Sequence, residues 1–326
     1  MTEKGLSVLE KPNQISAADR RPAEVSIIIP AYNEAEVMPE LFSELADTLR
    51  SHDLDAEVLL VDDGSRDGTY EAAEEAAGKS GLSRIRLLRH RTNRGKTEAL
   101  VTAAREAEGE LLVLFDADLQ HSTEEIPRFV AELRNGYDVV TGRKVGKYDK
   151  RIVSSAYNRL SRAIFKVPVH DLNSMKAFRR DILADMHLRH DWHRYLVVLA
   201  HAQGYEVTEI EIELHPRRRG ESKYTGRKRI LVGMLDLVAV WFQLVFSRKP
   251  MLFFGVTGLV VLGLGALTGL VALYMRFVMG LGFRPLLTLV ALLTTVGLLL
   301  FVVGFLAEMI ATMRGEVEDL RRELER

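Results

Sequence analysis

Asp116-Ala117-Asp118 closes the apolar run Leu111 to Phe115, so two carboxylates fall where a buried strand would leave its sheet. Carboxylate oxygens are the hard ligands that Mg2+ or Mn2+ prefers, and either ion keeps positions open for water and phosphate oxygens. That spacing suits a metal-bound diphosphate, although Asp-x-Asp also occurs in solvated loops. Two other polar motifs end short apolar runs: Pro30-Ala31-Tyr32-Asn33-Glu34 and Asp62-Asp63-Gly64-Ser65. A carboxylate in such a place can accept hydrogen bonds from a base or from ribose hydroxyls. Asp-Gly pairs also cap strands for local backbone reasons.

These motifs need a scaffold that brings them together. Val25 to Pro30, Val58 to Val61, Leu111 to Phe115 and Tyr137 to Thr141 are short β-branched or apolar runs of strand length. Glu36 to Arg50, Gly68 to Ala77 and Lys96 to Ala107 have helical length and periodic apolar positions. The alternation implies an α/β domain, a parallel sheet with helices on both faces. Ligands of such sheets bind beyond the carboxyl ends of the strands, where all three motifs lie.

Taken in order, the motifs resemble those of the inverting family 2 glycosyltransferases of GT-A type, in particular the polyprenyl-phosphate branch similar to dolichyl-phosphate mannose synthase. The resemblance covers roughly Val25 to Tyr224. It is carried by Pro30 to Glu34, Val61 to Thr69, Asn93-Arg94-Gly95-Lys96, Asp116 to His121, and Gly220-Glu221-Ser222-Lys223-Tyr224. A dinucleotide-binding oxidoreductase would instead have Gly-x-Gly-x-x-Gly after the first strand. The fold implied is a Rossmann-like GT-A nucleotide-sugar-binding domain, followed by a juxtamembrane amphipathic helix and a two-helix transmembrane hairpin. By resemblance Pro30, Tyr32, Glu34, Asp62, Asp63, Lys96, Asp116, Ala117 and Gln120 form the donor pocket. Asp118 is then the first metal ligand, and Asp116 contacts the metal or the donor. His121 reads either as a further ligand or as a structural residue.

Asp171-Leu172-Asn173-Ser174-Met175-Lys176-Ala177-Phe178-Arg179 resembles the family segment whose acidic residue is the candidate base, which makes Asp171 that residue. Met175 stands where the family generally has glycine. An acceptor phosphate with a second pKa of about 6 is largely deprotonated at neutral pH, so Asp171 has as much reason to orient as to deprotonate. Trp192, at the start of a helix-like segment, reads either as a sugar-stacking ring or as a core residue. Arg143, Arg159, Arg179, Arg217 and Lys223 are candidates for the acceptor phosphate, because guanidinium and ammonium groups suit phosphate oxygens. The alternative for several of them is contact with anionic lipid.

Pro250 to Met275 and Pro285 to Ala307 carry no charge, and each exceeds the roughly 20 residues needed to span a bilayer. Nine Lys/Arg against only Glu221 and Asp236 lie between His215 and Lys249, although the whole chain has a net charge of only −1. Such a collar fits anionic headgroups and the cytoplasmic side, so both termini are expected there, in a bacterial or archaeal membrane. The absence of cysteine agrees with that side. The expected division is a tail over 1–22, a catalytic domain over 23–228, a juxtamembrane helix over 229–249, two spans within 250–308 and a charged helix over 309–326. No signal peptide is read in Met1 to Arg21.

The expected reaction transfers a hexose from a UDP- or GDP-sugar to undecaprenyl or dolichyl phosphate, with Mg2+ or Mn2+ as cofactor. Expected partners are the donor, the lipid acceptor and membrane lipids, without nucleic acid. Gly265 to Gly269 and the face formed by Val317, Leu320 and Leu324 leave room for a homo-oligomer. Two rivals remain at this stage. One is a processive polysaccharide synthase, disfavoured by the missing Gln-x-x-Arg-Trp; the other is a noncatalytic scaffold that binds nucleotide sugars or lipids.

Overall fold

A computed structural model describes residues 22–145, 162, 164–186, 192–216, 237–242 and 250–324. Arg159, Arg217, Lys223, the 1–21 part of the expected tail and all of the expected juxtamembrane helix except 237–242 lie outside the described residues. The chain divides into two units, Met1–Gly226 and Arg227–Arg326.

The first unit is built on seven strands: β1 (Val25–Ala31), β2 (Ala56–Asp62), β3 (Ile85–Arg89), β4 (Leu111–Leu114), β5 (Val139–Val145), β6 (Lys176–Arg179) and β7 (Val207–Glu213). Their order across the sheet is β3-β2-β1-β4-β6-β5-β7. The central strands are apolar without alternation because both their faces are covered; Val25, Ile27, Ile28 and Ile29 of β1 and Val58 to Val61 of β2 are all buried. Helix α1 (Met38–Ser51) turns Met38, Leu41, Phe42, Leu45 and Leu49 into the core at the spacing of one helical face. Helices α2 (Thr69–Ser80), α3 (Lys96–Glu106) and α4 (Glu125–Arg134) connect the next strands, and the short α5 (Arg180–Asp185) follows β6. A 3-10 turn at Trp192–Tyr195 leads into α6 (Leu196–Gln203).

The expected all-parallel sheet needs one correction. β6 runs antiparallel to both β4 and β5, with Leu114 opposite Lys176 and Leu111 opposite Arg179. The direction of this four-residue strand decides which of its side chains reaches the chemical edge of the sheet. At the opposite edge the buried carboxylate of Glu57 accepts hydrogen bonds from the Ser26 hydroxyl (2.5 Å) and the Glu108 amide (2.6 Å), and it pairs with Arg86. That network ties β1, β2 and β3 to the lead-in of β4.

The second unit contains α7 (Pro250–Phe277) and α8 (Arg284–Leu324), both long and apolar enough to cross a membrane. The charged C-terminal segment continues α8 to Leu324 instead of forming a separate helix. The two helices meet backbone to backbone. A Cβ on Gly258 would lie 2.7 Å from the Gly297 carbonyl oxygen, and one on Gly297 would lie 2.7 Å from the Leu262 nitrogen. Gly265 also faces α8, where a Cβ would lie 3.1 Å from the Thr294 hydroxyl, so in this chain the small residues serve the hairpin itself. Leu252, Leu259, Leu292, Leu299 and Phe305 are exposed, as lipid-facing residues are. The Met251 N–H at the start of α7 donates to the Glu308 carboxylate at 3.0 Å.

Candidate active site

Parallel register brings the strand ends together. Ala31 stands beside Asp62, the Asp63 N–H donates to the Ala31 carbonyl (2.8 Å), and the Phe115 N–H donates to that of Ile28 (2.9 Å). The three polar motifs therefore emerge at one edge. The first two loops are stitched to each other: the Asn33 N–H donates to the Ser65 hydroxyl and the Arg66 N–H to the Asn33 carboxamide oxygen, each at 2.8 Å. The Glu34 N–H donates to the Thr69 hydroxyl at 2.8 Å. Gly64 must be glycine, since its φ is +73° and a Cβ would fall 2.6 Å from the Thr92 backbone. Pro30, Tyr32 and Glu34 are half-buried along this rim.

The paired aspartates have different surroundings. One oxygen of Asp63 accepts from the Arg94 N–H (2.8 Å) and His90 Nδ1 (2.8 Å), while the other accepts from the Gly95 N–H (2.7 Å). An ionised carboxylate only accepts, so Nδ1 of His90 carries the proton. Asp63 thus organises the loop that starts α3 and presents Lys96. Asp62 is fully buried; its Oδ1 accepts from the Ser65 N–H at 3.0 Å, and its Oδ2 has no hydrogen-bond partner. Arg89 Nε lies 3.3 Å from that oxygen.

Along the acidic loop accessibility alternates. Asp116, Asp118 and Gln120 are half-exposed, while Ala117, Leu119 and His121 are buried. Leu119 holds φ at +50°, a strained conformation for a bulky residue, and this turns its side chain into the core between the two polar neighbours. Asp118 Oδ1 accepts from the Gln120 N–H at 3.2 Å. Asp116 pairs with Lys96. Burial opposes its ionisation, but the charge and hydrogen bond of Lys96, helped by His121 and His193, hold the carboxyl far below the usual range. His121 is driven the other way, chiefly by burial, to a pKa of about 4, and its Nδ1 has no hydrogen-bond partner. Among the described residues no three His, Asp or Glu side chains converge on one point that could hold a metal. Asp116 and Asp118 nevertheless offer hard carboxylate oxygens, and Asp116 already attracts a cation, so they fit an ion that takes its other ligands from water and phosphate.

The candidate base approaches from the far side of β4. Asp171 is 5% exposed, and its Oδ1 accepts from the Asn173 N–H at 3.0 Å. Lys144 Nζ lies 3.6 Å from Asp171 Oδ2 and donates to the Asn173 carbonyl at 2.5 Å. Thr141 donates to the Asp171 carbonyl at 3.2 Å. Met175, the departure from the family glycine, packs into the core, and its carbonyl accepts from the Gly142 N–H at 3.0 Å. After β7 the His215 N–H donates to the Gln120 carbonyl at 2.8 Å, which joins that segment to the acidic loop.

Three sequence expectations change on this geometry. Arg179 sits opposite Leu111, so the antiparallel run of β6 carries it to the wrong edge, roughly 15 Å along the sheet from Asp116. There its guanidinium lies 3.4 Å from the Asp138 carboxylate and donates to the Leu133 carbonyl. Arg143 projects toward β7, 3.5 Å from Glu211, and strand alternation gives the position beside Asp171 to Lys144. Trp192 is 4% exposed, so its ring belongs to the interior and presents no face to a sugar. Its neighbour His193 docks on α3 through the Thr97 hydroxyl at 3.0 Å. The residues missed from the sequence are Lys144 and the buried Lys176; the period-two alternation along β5 was the available signal for the first.

Residues 26–187 match the model of the family described as Glycosyl transferase family 2. The chain is 34% identical over 301 residues to a dodecaprenyl-phosphate galacturonate synthase of Rhizobium johnstonii, covering 88% of each chain. It is 32% identical to an undecaprenyl-phosphate 4-deoxy-4-formamido-L-arabinose transferase of Aeromonas hydrophila, covering 90% of each. Among solved structures it is similar to glucosyl-3-phosphoglycerate synthase from Mycobacterium tuberculosis in complex with Mn2+, UDP-glucose and phosphoglyceric acid. That match has a TM-score of 0.52 at 17% identity and covers 68% of this chain and 79% of the other. The same enzyme solved with Mg2+ and UDP gives a TM-score of 0.51 at 18% identity, covering 67% and 80%. At such identity the likeness speaks for the fold, a mixed α/β sheet of GT-A type.

Proposed function

Since the chain belongs to glycosyl transferase family 2, we propose that it transfers a sugar from a nucleoside-diphosphate sugar to a polyprenyl phosphate at a membrane. The observation that carries this reading is the placement of two acidic centres at one sheet edge. Asp116 and Asp118 follow the end of β4, and Asp171 faces Lys144 across from them, in a chain whose relatives are named as polyprenyl-phosphate sugar transferases.

Pro30, Tyr32, Glu34 and Asp62 take the nucleotide, with Asp62 Oδ2, ion-paired with Arg89 but without a hydrogen-bond donor, as the acceptor for a base or ribose donor. Asp63 acts behind them by holding the loop that presents Lys96. Asp116 and Asp118 would hold Mg2+ or Mn2+, with Ala117 and Gln120 beside them. When bound, such an ion supplies charge stabilisation to the departing diphosphate. Lys96, which pairs with Asp116, would offer a second positive charge to the diphosphate oxygens.

On the other side Lys144 meets the acceptor phosphate, and Asp171, paired with that lysine, fixes the ammonium that orients it for attack on the anomeric carbon. An acceptor phosphate that is already a dianion needs orientation and charge balance more than proton removal. Arg159, Arg217 and Lys223 remain candidates for the same phosphate. One in-line displacement on an α-linked donor gives a β-linked polyprenyl-phosphate sugar and a nucleoside diphosphate. The two apolar helices keep the enzyme where a polyprenyl tail must stay, and the basic run before α7 argues for catalysis on the cytoplasmic side.

The test is transfer from a panel of radiolabelled UDP- and GDP-sugars, UDP-galacturonic acid included, to undecaprenyl phosphate, with Mg2+ or Mn2+ and Asp118→Ala as control. Metal-dependent label in the organic-extractable lipid, absent with the control, is the expected result. Donor binding without any lipid product would overturn the acceptor assignment, and an α-linked product would overturn single displacement.

A further inference from the structure

Lys176 is 1% exposed, one of the largest fully buried side chains in the protein. It lies on β6 between Leu114 of β4 and Thr141 of β5, at the end of β6 that faces the chemical edge. Its Nζ donates to the Ser174 carbonyl at 2.8 Å. From the neighbouring strand, Lys144 donates to the Asn173 carbonyl, the one just before it. Two lysines on adjacent strands thus grip consecutive carbonyls of the loop that begins at Asp171, while Thr141 holds the carbonyl of Asp171 itself. An apolar side chain of similar length would fill the space without burying an amine, so packing alone does not account for a lysine here.

We propose that Lys176 is a positioning residue for the transfer: from the floor of the site its ammonium fixes the Ser174 carbonyl and thereby holds the loop that sets Asp171 against Lys144, the cation that meets the acceptor phosphate. This rests on the reading of Asp171 given above. The charged and titratable groups around Lys176 are Lys96 from α3, Asp116 after β4, Asp171 in the loop, Lys144 from β5 and His193 from the 3-10 turn. Lys96 and Lys144 oppose the charge of Lys176 while Asp116 and Asp171 favour it, and substrate phosphates would add to the favourable side. Burial first, then Lys96, lowers the lysine to a pKa of about 7, so the free enzyme loses this cation within the ordinary working range.

The experiment uses full-length protein in detergent, wild type and Lys176→Met, with UDP and GDP for binding and undecaprenyl phosphate as acceptor for whichever nucleotide sugar the panel selects. The variant is expected to bind nucleotide within about threefold of wild type and to lose about 100-fold in kcat, the scale of a misplacement near 1 Å. Wild-type kcat/KM, which reports the free enzyme, should fall as pH rises through about 7, and the variant should lack that limb. A variant that keeps the limb, or whose kcat stays within about threefold of wild type, overturns the inference. Should the variant not fold, the wild-type profile decides alone, and a flat profile between about pH 6.5 and 8.5 is fatal. Should the wild type transfer nothing to the lipid, the acceptor reading fails separately. Hydrogen exchange at Asn173 then decides: faster exchange in the variant, by about tenfold or more, supports the clamp, and unchanged exchange refutes it.

Discussion

Replacing Asp63 by alanine separates a loop-organising role from a donor contact. The carboxylate is 4% exposed and accepts the Arg94 and Gly95 amides and His90 Nδ1. Each donor stranded in a buried place costs about 1–3 kcal/mol, so three of them, partly relieved by water, give about 3–5 kcal/mol. For a unit of this size each kcal/mol lowers the melting temperature by about 2–4 °C, which predicts a fall of about 6–20 °C. The assay is thermal unfolding of the full chain in detergent, followed by fluorescence of the buried Trp192 in a Trp241→Phe background. Asp62→Asn is the matched comparison. Its retained oxygen still accepts the Ser65 amide, so it should melt within about 3 °C of wild type while losing about 10- to 100-fold in UDP or GDP affinity, the worth of one charged hydrogen bond. If Asp63→Ala melts within about 2 °C of wild type and Asp62→Asn takes the large loss, the division of roles is refuted.

Lys96→Met removes the main group that lowers Asp116 and leaves burial, which raises a carboxyl, opposed only by His121 and His193, so acid loss of metal-dependent nucleotide binding should move to higher pH; titration calorimetry from about pH 4 to 7 checks it, and an unmoved limb contradicts the pairing. Lys176 has a folded pKa of about 7 against an ordinary 10.5. Between those values the unfolded chain binds the proton and the folded one does not, so stability should rise with pH by up to about 1.4 kcal/mol per unit. Denaturant unfolding at pH 7, 8 and 9 should show that slope in wild type and a flatter one in Lys176→Met. In the second unit the double variant Gly265→Cys with Thr294→Cys should form an intrachain disulfide on oxidation, since a Cβ on Gly265 lies 3.1 Å from the Thr294 Oγ position and no other cysteine competes. Adding Gly258→Leu should abolish that cross-link on a gel, because no side chain fits against the Gly297 carbonyl.

Strands β1, β2 and β4 were legible because each is a run buried on both faces that leads into a motif with chemical meaning; β3, whose Arg86 and Arg89 are only half-buried, was not read as a strand. The two apolar helices were legible from length and composition alone. β6 was not: four residues containing two basic side chains carry no strand period, and only the pairing with β4 and β5 fixes its direction. That single direction exchanged Arg179 for Lys176 at the site. Arg143 and Lys144 were confused for a related reason, since adjacent strand residues face opposite ways and the sequence does not say which way is inward. Trp192 was readable as aromatic but not as buried, because its burial depends on packing with residues distant in the chain.

The bond between Met251 and Glu308 bears on how the hairpin is made. The two residues lie 57 positions apart, so during synthesis the start of α7 leaves the ribosome well before its carboxylate partner exists. Glu308, in turn, is an acid at the end of an apolar stretch, where an unmatched charge is costly to insert. Each helix therefore completes the polar end of the other, and insertion is finished only when the second has arrived. A chain truncated or fused within 278–283 keeps enough apolar length to enter a bilayer but leaves the first helix without its cap. It should be recognised by membrane quality control as an unfinished product.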